Sequence, residues 1–347
     1  MSGPLTIWLP AVRAGSGADV FVQRLAQGLL EAGHRPVVQW FDLRYELMPW
    51  RLRHVQPPSG TDLIHAGSWQ GFAFRREGLP LVVTEHQYVA HPAFRPYRGL
   101  AQALYHRMFV QPCMRRSYRD ADALVAVSRH TAAAMEADLA RPVTVISNWV
   151  DCRRFEPASR PPRDAAQPFR LLFVGNPSRW KGADVLPELA VRLGRAFEIH
   201  CLGGLRRGNH AARWPANMKP LPRVAPEHMP SIYHTVDAVL VPTRYEAFGY
   251  VALEAMACGL PVLGFASTGT AEVAVHDHTA LLAPVDDLEQ LAAYAGRLAT
   301  DPALGRRLGD AGRARAVTCF DQPSGVGAYL DLYRQVLSTH RACAHAP

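Results

Sequence analysis

The chain has 347 residues, 48% of them hydrophobic and 20% charged, and a formal charge of +8. Such a composition excludes collagen-like, low-complexity and disulfide-scaffold classes, and the length favours two cores over one. Of the 38 basic residues only Lys181 and Lys219 are lysines, so arginine is largely surface background, whereas the position of a lysine carries information.

In chain order, MSGPLTIWLP lacks a basic region ahead of its apolar residues and is expected to form a first strand rather than a signal peptide. Short apolar strands then alternate with helical segments: LTIWLP, RPVVQWF, TDLIHAG, LPLVVTEH, ALVAVS and PVTVISN, followed by FRLLFVGN, FEIHCLGG, DAVLVPT and LPVLGF. This alternation predicts an α/β protein with mostly parallel sheets. Residues 18–30 carry the apolar spacing of an amphipathic helix closed by Gly33. The Pro-rich, charged segment 156–168 is the linker candidate. Two doubly wound domains follow, with ligands expected beyond the carboxyl ends of the strands, in the cleft where those ends face each other. The cysteines, at 113, 152, 201, 258, 319 and 343, form no C-x-x-C pair, which fits a reducing cytoplasm. No run reaches the roughly 18–20 apolar residues of a membrane-spanning helix.

The chemistry-bearing stretches begin with RAGSGADV, 13–20. Gly15 and Gly17 open a dinucleotide fingerprint whose third glycine is replaced by Val20, and Asp42 is a weak ribose partner, so the case for NAD is poor. His65 and His86 each follow an apolar strand, where a histidine is either a structural residue or one that reaches the cleft. Residues 91–120 hold six arginines (95, 98, 107, 115, 116, 119) against Asp120, together with Phe94, Tyr97, Leu100, Leu104, Tyr105, Met108 and Phe109. That stretch suits either an anionic membrane surface or an ordinary helix with a solvated arginine face. No nucleic-acid motif is visible, and none is expected as a partner. Asp120-Ala121-Asp122 has the D-x-D form of a metal-holding motif, but its position between a basic helix and a strand makes it a helix-end and turn feature. No other carboxylates have ligand spacing, so no metal and no tightly bound cofactor are expected.

In FVGNPSRWKGADVL, 173–186, a strand leads through Arg179 and Lys181 into a helix expected from about Gly182. Two cations there suit a diphosphate or a merely basic, solvent-facing loop. VPTRYEAFGYVALEAMACGLPVL, 241–263, is a strand, a turn carrying Glu246, and a helix from about Gly249 to before Gly259. That helix is apolar nearly all round and is therefore buried, yet it contains Glu254, a carboxylate that needs donors from an arginine or from ligand hydroxyls. The backbone N–H groups of Phe248, Gly249 and Tyr250 form an anion site at its start.

Taken together these stretches resemble the retaining glycosyltransferases of family 4. P-T-R-Y-E-A-F-G-Y-V-A-L-E-A-M-A-C-G-L-P-V is similar to the family's pair of glutamates with Phe-Gly between them, and ASTGTAEVAV to its Gly-rich stretch, ending here in Glu272. VGNPSRWKG resembles its G-R-x-x-x-x-K-G loop, and ISNWVDCRRFEP its interdomain motif; GADVFVQRLAQGLLEAGH, DLIHAGS, VVTEH and ADALVAVS follow in the family's order.

The resemblance implies a GT-B fold, two Rossmann-like doubly wound domains facing across a cleft. It divides the chain into 1–160 on the acceptor side, 161–325 as the donor domain, and a C-terminal helix over 326–347 that crosses back to the first domain. It implies a metal-independent hexosyltransferase that moves sugar from a UDP- or GDP-sugar to a glycan or lipid-linked glycan. The setting would be cell-surface polysaccharide or glycolipid synthesis in the cytoplasm, with peripheral contact at the inner face of the membrane through 91–120. Carried over residue by residue, Lys181 and the amides of Phe248–Tyr250 neutralise the diphosphate, and Glu254 accepts from the ribose hydroxyls. Glu246 lies at the donor sugar, His86 contacts that sugar from the opposite domain, and Gly17 lets the first loop approach the phosphates. Asn176 departs from the family's diphosphate-binding arginine, for which Arg179 is the substitute, and Trp149 departs from its glycine after Asn148. The alternatives are a nucleotide-sugar epimerase of the same fold and a partner subunit that no longer catalyses.

Overall fold

The structure, a computed structural model, describes residues 3–159, 163–164, 166–203 and 214–344. Parts of the linker candidate (160–162 and 165) and Gly204 of FEIHCLGG lie outside the described residues. The chain divides into two units, one comprising Met1–Asn148 with Gln322–Pro347 and the other Trp149–Asp321. The division falls ahead of the linker because 149–155 is bound to the second unit. Val150 N donates to Phe320 O (3.0 Å), and the Arg313 guanidinium donates to Cys152 O (2.9 Å) and Phe155 O (2.7 Å).

In the first unit β1 (Thr6–Val12), β2 (Arg35–Phe41), β3 (Leu63–Gly67), β4 (Leu81–Glu85), β5 (Ala123–Ala126) and β6 (Thr144–Val145) form one parallel sheet in the order β2-β1-β3-β4-β5-β6. Its central strands are buried on both faces, as in a sheet covered by helices. Around it lie α1 (Gly17–Glu31), α2 (Leu100–Tyr105), a π turn (His106–Val110), α3 (Gln111–Asp120) and α4 (Arg129–Leu139).

The second sheet holds β7 (Phe169–Gly175), β8 (Phe197–Gly203), β9 (Met218–Leu221), β10 (Ala238–Val241), β11 (Val262–Phe265) and β12 (Ala280–Ala283) in the order β12-β11-β10-β7-β8-β9, again parallel. With it go α5 (Leu186–Leu193), α6 (Met229–Tyr233), α7 (Tyr250–Ala257), α8 (Thr268–Val273), α9 (Leu288–Thr300) and α10 (Pro302–Cys319). Renumbered from β7, this is the 3-2-1-4-5-6 order of a dinucleotide-type fold, reversing between β7 and β10.

The last helix, α11 (Gln322–Ala344), belongs to the first unit. Val326, Tyr329, Tyr333, Val336 and Leu337 give it a buried face at helical spacing. Gly28 of α1 makes room for it, since a Cβ there would come within 2.3 Å of Val326 Cγ2.

Candidate active site

Lys181 and Glu246 are 65 residues apart but follow adjacent strands, Lys181 after β7 and Glu246 after β10, on either side of the point where the strand order reverses. In an open parallel sheet that point is where ligands bind. Lys181 sits in a short 3-10 turn, Arg179–Lys181, and Gly182 follows it with φ +72°. A Cβ on Gly182 would fall 1.9 Å from Pro242 O, so the two loops touch through main chain. The expected helix therefore starts at Leu186, not near Gly182, because the left-handed glycine breaks the turn and Pro187 favours a new first turn.

Glu246 is fixed at its backbone. Thr268 Oγ1 accepts from Glu246 N (2.8 Å) and donates to Glu246 O (2.7 Å), and Gly269 N donates to the same carbonyl (2.9 Å). Thr268 holds φ +21°, an uncommon value for a β-branched residue. Gly269 is obligatory, since a Cβ there would lie 2.6 Å from Ala247 O. The Glu246 carboxylate pairs with Lys181 Nζ, and both side chains remain partly exposed, Lys181 at 25% and Glu246 at 19%.

Three residues on, Gly249 has φ +111°, a backbone state that L side chains rarely adopt, and α7 starts from it. The first main-chain bond of α7 runs from Leu253 N to Gly249 O (3.1 Å), so the N–H groups ahead of it are directed out of the helix end. Phe248 is buried, its ring 5.7 Å from Tyr250 and 5.8 Å from Phe320. Glu254 is 9% exposed and accepts from the hydroxyl of fully buried Tyr233 (2.9 Å). The protein itself thus supplies a donor that the sequence did not reveal, where an arginine or a ligand was expected. Arg179 is exposed beside Lys181, and Asn176 lies earlier in the same loop, its carbonyl accepting from Ser178 N (2.8 Å).

Gly17 and His86 belong to the first unit. Asp19 closes the glycine loop by accepting from Gly15 N (2.9 Å), Gly15 has φ +63°, and Gly17 begins α1. Phe21, one turn later, packs its ring 4.5 Å from His86. Burial lowers the His86 pKa to about 4, leaving a neutral imidazole at the end of β4. His65 is structural. Its Nδ1 bonds Tyr333 Oη (2.6 Å), its Nε2 bonds Thr84 Oγ1 (2.7 Å), and burial, then His86, lowers its pKa to about 3. Glu85 is buried and accepts from the Tyr118 hydroxyl and from Gln87 N (2.7 Å); desolvation nonetheless raises its pKa. Asp120 ends α3 and pairs with Arg119 (3.0 Å), while Asp122 accepts from Leu81 N (2.7 Å) and pairs with Arg75, so both carboxylates of D-x-D have partners within the first unit.

Residues 39–154 match Glycosyltransferase Family 4 and residues 156–315 match Glycosyl transferases group 1. The D-inositol 3-phosphate glycosyltransferase of Salinispora tropica is 31% identical over 332 residues, covering 84% of this chain and 67% of its own. The MMP alpha-(1->4)-mannosyltransferase of Mycolicibacterium hassiacum is 26% identical over 308 residues, covering 81% and 72%. Among solved structures, sucrose-phosphate synthase from Thermosynechococcus elongatus superposes with a TM-score of 0.79 at 20% identity, over 97% of this chain and 100% of that one. Anabaena HepE in complex with UDP-glucose gives 0.73 at 19%, over 96% and 100%. Two Rossmann-like units, the paired lysine and glutamate at a strand switch point, and these matches lead to one conclusion: the chain is a glycosyltransferase of family 4, with the GT-B fold.

Proposed function

We propose that the chain moves a hexose-type sugar from a UDP- or GDP-sugar to a glycan or lipid-linked glycan, with retention of anomeric configuration and without a metal or a tightly bound cofactor. The observation that carries this reading is the Lys181–Glu246 pair beside the start of α7, at the switch point of the second sheet. As the anomeric bond breaks, negative charge grows on the departing diphosphate. Lys181, Arg179 and the amides at Phe248–Tyr250 are the preorganised groups to receive it. Glu246, held by Thr268, faces the donor sugar, and Glu254 takes the ribose hydroxyls alongside the Tyr233 hydroxyl. His86 and Gly17, both in the first unit, are assigned to the sugar and the phosphates on the family resemblance alone.

The experiment is a thermal-shift panel of UDP, GDP, ADP, dTDP and NAD in EDTA, on wild type and Glu254→Ala. Saturation at about 100 times Kd stabilises by about 2.7 kcal/mol. One nucleoside diphosphate should raise Tm without metal, and less so in the variant. A response to NAD alone, or to no nucleotide, would overturn the reading. NMR of the product formed with the matching nucleotide sugar then reads the anomeric configuration.

A lipid-linked acceptor at the inner face of the cytoplasmic membrane, in polysaccharide or glycolipid synthesis, is supported by 91–120. Leu100 (91% exposed), Leu104 (63%) and Met108 (68%) form a stripe one helical turn apart, while Phe94, Val110 and Met114 are buried. Arg107 lies beside Met108, and Trp50 contacts Phe109 from a segment that also exposes Leu43 and Leu47. No helix among the described residues is long and apolar enough to cross a membrane. Sedimentation with anionic vesicles should be lost on Leu104→Ser with Met108→Ser and on charge reversal at Arg115 and Arg116; unchanged binding, or none in wild type, removes the membrane from the proposal.

A further inference from the structure

The loops carrying Lys181 and Glu246 are joined by a charged residue that the donor site does not use. Arg244 is only 8% exposed. Its Nη1 donates to the main-chain oxygen of Arg179 (2.6 Å) and to Asp184 Oδ1 (2.6 Å), and its Nε donates to Asp286 Oδ1 (2.5 Å). Its own main-chain N–H donates to Trp180 O (2.8 Å). Residues 179, 180 and 184 bracket Lys181, and Arg244 lies two residues before Glu246. The guanidinium therefore binds the Lys181 turn on both sides while its backbone belongs to the Glu246 loop.

Ion pairing alone is a weak reason for this arrangement. Asp184 and Asp286 keep 41% and 51% of their side-chain exposure, and pairs to such carboxylates add little stability. The contacts to the oxygens of Arg179 and Trp180 are different, since they fix where a main-chain turn sits. The guanidinium spreads its contacts to a carbonyl and two carboxylates over Nε and Nη1 of a planar fork, whereas an ammonium has all its donors on one nitrogen. Asp286 completes the anchor from the loop after β12 and holds φ +68°, an uncommon backbone state for a non-glycine residue.

We propose that Arg244 is a positioning residue, which locks the Arg179–Asp184 turn against the Glu246 loop so that Lys181 Nζ is delivered to Glu246 and to the donor's diphosphate. This rests on the donor-site reading above. The test compares calorimetric affinities for the responsive nucleoside diphosphate and its monophosphate in wild type, Lys181→Met, Arg244→Gln, Arg244→Lys and Lys181→Met with Arg244→Gln. Lys181→Met and Arg244→Gln should each weaken the diphosphate about tenfold or more and the monophosphate little, as expected for a lost or misplaced charged donor. The double variant should match Lys181→Met, and Arg244→Lys should not restore the preference. Asp286→Asn, which leaves Arg244 in place, should shift the same ratio in the same direction and serves if Arg244→Gln does not fold. An unchanged ratio, an equal loss for both nucleotides, or a double variant weaker than Lys181→Met overturns the proposal. If Lys181→Met itself keeps the preference, or wild type binds no nucleoside diphosphate, the donor-site reading fails instead.

Discussion

The burial of His65 makes the first unit acid-sensitive in a calculable way. The unfolded chain protonates this imidazole near pH 6.5, whereas the folded chain does so only near pH 3. Between these values the unfolded state binds more protons, so the contribution of His65 to stability is fully present above pH 6.5 and declines towards pH 3. From pH 7.5 to pH 5.0 the loss is about 2 kcal/mol. The figure is insensitive to how deep the folded value lies. For any folded pKa below about 4 the native imidazole is already neutral at pH 5, and only the unfolded titration counts. His86 and His91, both lowered to about 4 mainly by burial, act in the same direction. The acid response of wild type alone therefore sums several groups.

The His65→Gln variant isolates one. A glutamine amide offers a donor and an acceptor towards Thr84 and Tyr333 but does not titrate. Urea unfolding at pH 7.5 and 5.0, followed by the fluorescence of the first-unit tryptophans Trp8, Trp40, Trp50 and Trp69, measures the difference. Wild type should lose about 2 kcal/mol more than the variant over that interval. Equal losses would refute the account, because they would mean that His65 is as easily protonated in the folded chain as in the unfolded one.

Tyr233→Phe removes a donor from buried Glu254 and should cost about 1–2 kcal/mol in urea unfolding of the second unit. Gly249→Ala places a side chain at φ +111°; the strain should lower stability by about 1–2 kcal/mol, and isothermal titration should show weaker nucleoside diphosphate binding. Gly28→Ala forces a Cβ to within 2.3 Å of Val326 Cγ2, with an expected cost of about 1–3 kcal/mol. Val326→Ala in the same chain should recover much of that cost, and a double-mutant cycle showing additivity would place α11 away from α1.

The ten strands proposed from apolar runs are all present: β1 runs on to Val12, β2 keeps its bounds, and most of the others are trimmed at their ends. The two that were missed among the described residues had weak local signals. β9 reads MKPL, with a proline and a lysine, as an edge strand tolerates, and β12 reads ALLA, without a β-branched residue. Both become strands because a neighbouring strand offers a ladder, which is information from the tertiary fold. The start of α5 was misplaced for a similar reason. Gly182 looks like an ordinary helix opener until Pro242 is seen pressed against it.

The candidate site divides along the same line. Glu246, Gly249 and Glu254 lie within one turn and one helix, so their spacing was readable directly. Their pairings were not, although Lys181 itself stood out as a site cation. Thr268 is 22 residues from Glu246, Tyr233 is 21 from Glu254 and Lys181 is 65 from Glu246. Thr268 had a trace in the Gly-rich stretch ASTGTAEVAV, though its grip on Glu246 was not readable there; Arg244 fell among the arginines read as surface background, and Tyr233 was not singled out.

The two members of the central pair are held by different means, and this follows from where the chain reverses its strand order. Glu246 has its main-chain N–H and carbonyl bound by α8, through Thr268 and Gly269, so its place is set by three bonds within a few ångströms. Lys181 reaches the same point on a long flexible side chain whose root sits in a turn of three residues, in contact with Pro242 through glycine and with Arg244 through its flanks. Parallel pairing of β7 with β10 brings both loops to one end of the sheet but leaves a side chain several rotatable bonds long to be aimed. Precision at the carboxylate is therefore a local property, and precision at the ammonium is a property of the loop contact. Substitutions in the loop contact should act on charge recognition before they act on folding.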